Sequence, residues 1–287
     1  MQAPWTMGLI ADLHFGLAPD AGRRLESFME AVAEHHPDCL LQLGDFNYGV
    51  DDAHKCLGVW RQFDGPRYHV LGNHDMDKTD KAHIRDAWEM PDDYYSFDHK
   101  GWHFVVLDRN HLRIDGTYHD YDTANFYVDG KQRGFADPEQ LEWLADDLAK
   151  TDRPTVVFSH QGLGMSEAIE PDTAPGMIEQ VLAKANQTHP GRVVACLCGH
   201  HHIDRYQQRD GIHYLWINSA SYYWVGADYG RMAPYTRPLY TFLTFHADGS
   251  IEVAGADSDW EKPTPAERGY PGAEQLTPFI KPRKLKA

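Results

Sequence analysis

Five short apolar runs in this chain each end in a side chain able to bind a cation. Asp12-Leu13-His14 closes the run 7–11, and Gly44-Asp45 closes 39–43. Gly72-Asn73-His74-Asp75 closes 68–71, Ser159-His160 closes 155–158, and Gly199-His200-His201-His202 closes 193–197. Carboxylate, imidazole and amide oxygen are the donors expected of a Mn, Fe or Zn centre. The seven candidates are Asp12, His14, Asp45, Asn73, His160, His200 and His202. One ion cannot use them all and keep an open catalytic position, but two ions sharing a carboxylate can. Two cations ~3.5–4 Å apart lower the pKa of a shared water, so the expected chemistry is attack by hydroxide on a substrate held at the ions.

Alternate residues of an extended segment point the same way, which pairs Asp12 with His14 and His200 with His202. His201, between two donors, should point away from them. His74 follows Asn73 and so faces another side of the turn. That suits a general acid or electrostatic partner for the leaving group; a supporting place behind the ligands is the alternative. Asp75 is expected to orient a neighbouring imidazole. The glycines before Asp45, Asn73 and His200 are expected to let the chain turn sharply as it leaves each strand.

These side chains need a scaffold that gathers strand ends. The five runs are almost continuously hydrophobic, as strands buried on both faces are. Between them, Leu25, Phe28, Met29 and Val32 mark a helical stripe. Asp137 as cap, Pro138, and then Leu141, Leu144 and Leu148 mark a second helix. Ile178, Val181, Leu182 and Ala185 mark a third. Hairpins are expected over 94–107, at Asp210-Gly211 and at Asp248-Gly249. The mixture predicts a layered α/β fold with mixed sheets. At the carboxyl edge of such a sheet, distant groups can converge on a ligand. We expect one domain over 1–255 and an extended C-terminal extension over 256–287, the latter from its proline, glycine and charge.

The chain has 287 residues and a formal charge of −16, from 43 acidic against 27 basic side chains. Such a surface repels a nucleic-acid backbone, so no long nucleic acid is expected as partner. A small substrate drawn in by cations fits better; the resemblance described below makes it a small phosphate ester. No run approaches the ~20 apolar residues of a membrane span, and no signal-peptide pattern is present. That favours the cytoplasm and no membrane partner, and leaves room for an oligomer. Cys39, Cys56, Cys196 and Cys198 read as buried core thiols.

The ordered series Asp-x-His, Gly-Asp, Gly-Asn-His-Asp, His, Gly-His-x-His, over residues 12–202, resembles the signature of the calcineurin-like metallophosphoesterases. It is most like the branch with the class III cyclic-nucleotide phosphodiesterases and glycerophosphodiesterases. The 95–108 hairpin and Asn218-Ser219-Ala220-Ser221 look like that branch too. The resemblance implies two stacked mixed β-sheets flanked by helices, a four-layer fold. It also implies that Asp12, His14, Asp45 and His202 hold one ion. Asp45, Asn73, His160 and His200 would hold the other, with Asp45 bridging and His74 acting on the leaving group. The cofactors would be two divalent or trivalent ions (Mn, Fe or Zn).

Other residues have divided readings. Gly44-Asp45-x-x-Tyr48 is similar to the purple acid phosphatases, where a tyrosinate binds ferric iron; those enzymes lack a counterpart of His14, which makes Tyr48 a supporting or pocket residue. His200-x-His202-x-Asp204 matches part of the metallo-β-lactamase pattern, but Arg205 follows where that pattern needs histidine. Arg109 and His111 follow a strand and could reach substrate, or lie in a solvated loop. His119, Tyr121 and Asp122 fall in a polar loop that could cap the site. Tyr222, Tyr223 and Trp224 could stack on a ring or pack in the core. The expected function is hydrolysis of a small phosphomonoester or phosphodiester. A nuclease of the same fold, or a non-catalytic scaffold, is the alternative.

Overall fold

The strand Trp5–Ile10 illustrates how the layers arise. Met7, Leu9 and Ala11 join one buried cluster, while Ile10 and Leu13 join another. Side chains alternate across a strand, so an all-apolar strand must be covered on both faces. The computed structural model describes residues 3–286. In it Trp5–Ile10 runs parallel to Cys39–Gln42, which runs parallel to Arg67–His69. On the other side Thr241–Phe245, Ile251–Val253 and Arg283–Leu285 follow in antiparallel order, completing a six-stranded sheet.

The second six-stranded sheet has the order Arg205–Arg209, Ile212–Trp216, Val193–Cys198, Thr155–Ser159, Trp102–Val106, Tyr95–His99. Its inner strands are parallel and its two edges antiparallel. Phe104, Val106, Val156, Phe158 and Leu197 face Met7, Leu9, Leu41 and Val70 across the sandwich. Val105, Val157, Cys196 and Cys198 turn outward under the helices Pro138–Lys150 and Ala174–Thr188. The helices Ala21–His35 and Val50–Trp60 cover the first sheet. The result is four layers of helix, sheet, sheet and helix, as the resemblance implied.

Local signals explain the helix positions. Leu25, Phe28, Met29 and Val32 are all buried, each large one contributing ~1.5–3 kcal/mol. The Asp137 side chain accepts from Gln140 N at 2.8 Å, and Pro138 opens the helix. Asp210 and Gly211, both at positive φ, turn the hairpin between 205–209 and 212–216.

The region around His119, Tyr121 and Asp122 is more ordered than a polar loop. Strands His111–Ile114, Thr117–Asp120 and Arg133–Phe135 form a three-stranded cap sheet, and Tyr121 is buried beneath it. Hydrophobic alternation is short there, which hides the strands in the sequence. Beyond residue 255 the chain has little regular structure but is held down: Ile280 and Leu285 enter the core between the sheets. Arg283 makes a two-pronged pair with Asp204 at 2.8 and 2.6 Å, which also accounts for Asp204. No helix among the described residues is long and apolar enough to cross a membrane.

Candidate metal centre

The parallel strands of both sheets deliver their carboxyl ends to one edge. Pairing continues past the strands, with Asp12 N donating to Gly44 O at 3.1 Å and His14 N to Asp45 O at 2.8 Å. Ser219 Oγ donates to Asp12 O and Ser221 Oγ to Leu13 O, at 2.9 and 2.6 Å, which fixes the same loop from the other side. Five of the seven candidates sit in the left-handed region: Asp12 (φ 51°), His14 (52°), Asp45 (50°), His200 (68°) and His202 (53°). Each such residue costs on the order of 1 kcal/mol or more, a strain characteristic of functional sites.

Gly44, at φ 90°, is the one preceding glycine that needs the special turn; a Cβ there would also lie 2.5 Å from His160 Nδ1. Gly72 is not at positive φ, contrary to the sharp turn expected. It is required for space, because a Cβ would lie 2.1 Å from Asp45 N.

Two clusters form. In one, His202 Nε2 lies 3.2 Å from Asp12 Oδ1 and 3.2 Å from His14 Nε2. In the other, His160 Nε2 lies 3.1 Å from Asp45 Oδ2 and 3.2 Å from His200 Nδ1. Within each, the donor atoms lie within 4.8 Å of one another. Asp45 Oδ2 is also 3.8 Å from His14 Nε2, so it stands between the clusters. Asn73 Oδ1 is buried with no hydrogen-bond partner.

These residues fit a cation pair. His202 Nδ1 faces Tyr222 O at 2.5 Å, and His160 Nδ1 faces Leu43 O at 2.7 Å. A carbonyl only accepts, so both Nδ1 atoms carry hydrogen and both Nε2 atoms present lone pairs to the carboxylates. Lone pairs this close need positive charge between them. Burial lowers the basicity of His14 and His200 well below the usual histidine value, leaving neutral donors. Burial opposes the charge on Asp45 too, but His160 and His74 outweigh it and hold the carboxyl well below its usual range. Burial likewise opposes a second proton on His160, but Asp45 raises its pKa to about 9, so Nε2 answers the Asp45 carboxylate either with a proton or, through a cation, with its lone pair.

His74 lies beside this centre, its ring 5.4 Å from that of His14. Its Nδ1 is 2.6 Å from Asp77 Oδ2, and Tyr127 Oη donates to Asp77 Oδ1 at 3.1 Å. Burial works against its protonation, yet Asp45 and Asp77 raise its pKa overall. Asp77, which sequence reasoning passed over, therefore does what was expected of Asp75. The signal was a spacing of three across the short 3-10 turn His74–Met76.

Asp75 orients backbone and no imidazole, a correction. It accepts from Gly72 N (2.8 Å), Asp45 N (3.0 Å), Phe46 N (2.9 Å) and Asn47 N (3.1 Å). Burial and the charge of Asp45 raise its pKa. The four N–H groups oppose that rise and leave no acceptor for a carboxyl hydrogen, so the geometry fits the carboxylate. It ties the Asp45 loop to the Asn73 loop.

Arg109 does not lie in a solvated loop. It is buried and donates to Gly134 O, Gln161 O and Gly162 O at 3.0, 2.9 and 2.8 Å, tying the cap sheet to the loop after His160. His111 is also buried, away from the two clusters, with Nε2 3.0 Å from Asp120 Oδ1. Asp108, His111 and Asp120 could form a third donor group. Lys81 Nζ, at 2.6 and 2.5 Å from those two carboxylates, already supplies its positive charge. Tyr48 is partly buried, with the Lys78 ammonium 4.2 Å over its ring. Trp224 reaches the centre, with its ring 6.1 Å from that of His14.

A doubled α/β sandwich with paired acid–imidazole clusters at its carboxyl edge defines a metallophosphoesterase architecture. The calcineurin-like phosphoesterase family profile matches residues 6–204, and the chain belongs to that family. Membership implies a pair of metal ions, for which these clusters are the candidate places. Among solved structures, the chain is similar to a dimetal phosphatase from Danio rerio (TM-score 0.64, 15% identity, 89% of this chain and 98% of that one). It is also similar to the purple acid phosphatase PPD1 of yellow lupin, Lupinus luteus (0.51, 13%, 98% and 54%). A third is GAP50, the anchor in the inner membrane complex of Plasmodium (0.53, 13%, 99% and 89%). No curated protein matches in sequence.

Proposed function

We propose that the chain is a dinuclear-metal hydrolase of small phosphomonoesters or phosphodiesters. Asp12, His14, Asp45 and His202 would hold one ion (Mn, Fe or Zn), and Asp45, Asn73, His160 and His200 would hold the other. The observation carrying this reading is Asp45 Oδ2, within 3.1 Å of His160 Nε2 and 3.8 Å of His14 Nε2, which joins two otherwise separate donor sets. When bound, the ions supply Lewis acidity and a hydroxide nucleophile near neutral pH.

The chain's own residues do the rest. His74, fixed through Nδ1 by Asp77, is left with Nε2 to give a proton to the departing oxygen. Asp75 keeps the Asp45 and Asn73 loops at one spacing. Tyr222 O and Leu43 O aim His202 and His160 through their far nitrogens.

Because the fold is shared with an anchor protein, it does not decide activity. The chain carries all seven donor residues and His74, which favours catalysis over a scaffold, and the acidic charge of −16 disfavours a nuclease. Buried Cys39, Cys196 and Cys198 thiols fit a reducing compartment such as the cytoplasm.

The test measures bound metal, then rates on 4-nitrophenyl phosphate and bis(4-nitrophenyl) phosphate with Mn, Fe or Zn. We expect about two ions per chain and metal-stimulated release. The Asp45→Asn variant should lose metal from both positions. Full metal content in that variant would overturn the assignment, and a faster bis-ester rate would mark a diesterase.

A further inference from the structure

We propose that the cavity beside the two clusters binds a second anionic group of the substrate, so that the preferred substrates are phosphate esters carrying a further phosphate or carboxylate. This rests on the phosphoesterase reading above and selects among the esters it allows.

The cavity has a volume of about 760 Å³. That is far more than a bare phosphoryl group needs and within the ~300–1,000 Å³ of sites for larger ligands. Asn73, His74 and His200 form part of its lining, so it opens directly onto the candidate metal centre. Another part carries Arg109, Arg113, Lys131 and Arg133, against Asp172 as the one lining carboxylate. In a chain of net charge −16 this is a local reversal of sign. A groove of similar size beside the helix Ala21–His35, about 750 Å³, is lined instead by Glu26, Glu30, Asp38 and Asp64.

Among the described residues, none of these four cations has a carboxylate within 4.0 Å. Elsewhere Arg61, Arg153, Arg209 and Arg283 each have one. Arg113 stacks 4.3 Å over Phe135 and donates to the carbonyl of Asp172 at 3.3 Å. Arg133 donates to Phe126 O at 3.4 Å. Those partners are neutral, so most of the guanidinium charge is unanswered. Several unanswered cations lining one cavity repel each other, and a bound anion relieves that.

Two further features agree. The helix Ala174–Thr188 begins at this cavity, through Ala174 and Pro175, with no acidic residue in its first turn; its positive end adds to the field. Gln161 Oε1 is buried without a partner, while its Nε2 is committed to Asn110 Oδ1 at 2.8 Å. It provides one neutral acceptor for a substrate hydroxyl between the two charged ends.

The test is calorimetric titration of the manganese-loaded protein with glycerol phosphate, glycerol bisphosphate and phosphoglycerate. The bisphosphate or the carboxylate ester should bind about tenfold tighter or more than the monophosphate. An Arg113→Gln, Arg133→Gln double variant should remove that preference. Should the pair fail to fold, as judged by circular dichroism, the exposed Lys131→Gln is read by the same affinity ratio, which should fall. Equal affinities in the parent protein, or a ratio unchanged in the folded variants, would overturn the proposal. Absence of metal-stimulated ester hydrolysis would overturn the phosphoesterase reading instead, and the affinity ratio would still report on the cavity.

Discussion

His74 Nδ1 lies 2.6 Å from Asp77 Oδ2, three residues further along one tight turn. The contact holds the imidazole so that its other nitrogen is available to substrate. His74→Ala should keep both metals and lose about 10²–10⁴-fold in kcat, as removal of a general acid does. Asp77→Asn should lose less, and Tyr127→Phe less again. Single-turnover rates alongside metal content check the order; full activity in His74→Ala ends the assignment.

Gly72 leaves no room for a methyl group, since a Cβ would lie 2.1 Å from Asp45 N and 2.3 Å from Asp45 Oδ1. Gly72→Ala must displace the residue that joins the two clusters. We expect metal content well below that of the parent, measured by atomic absorption, with the circular dichroism spectrum largely kept. Normal metal content would show that the loop yields elsewhere.

Arg109 is a structural cation shared by one carbonyl of the cap sheet and two of the loop after His160. Arg109→Met strands those carbonyls in the interior and should cost on the order of 3–5 kcal/mol. Urea unfolding measures it. A loss under about 1 kcal/mol would mean that the carbonyls find other donors.

His69 makes stability depend on acid. Its Nδ1 lies 3.2 Å from Gln42 Nε2, an amide donor, and Trp60 and Trp88 pack around the ring. Burial, helped by Arg67 and Arg61, lowers its pKa from 6.5 to about 3. The folded value is the depressed one, so this contribution is fully present above pH 6.5 and is lost as pH falls towards 3. The slope reaches about 1.4 kcal/mol per pH unit. The unfolding free energy of the protein should therefore fall relative to that of His69→Phe as pH drops from 7.5 to 5. Parallel curves would remove His69 from the account.

Much of the site was legible in the chain because strand ends announce themselves. A continuously apolar strand must be buried on both faces, and a polar residue that stops it is left at the sheet edge. This holds for Asp12, Asp45, Asn73, His160 and His200, and for Asp137 as a helix cap. Asp75 and Asp77 show where that legibility ended. Both are acids near His74, and only the geometry of one turn directs the first to four backbone N–H groups and the second to the imidazole. Arg109 reads as solvated until the cap sheet closes over it.

The amino-acid order alone determined which side chains end the strands and, through their types, that they suit paired cations. Tertiary structure alone decided that Asp77 rather than Asp75 holds His74 and that Arg113, Lys131 and Arg133 line a cavity with His74. Alternation and strand burial are local and survive in one dimension. Contacts between loops depend on how two sheets stack, which no short window of sequence contains.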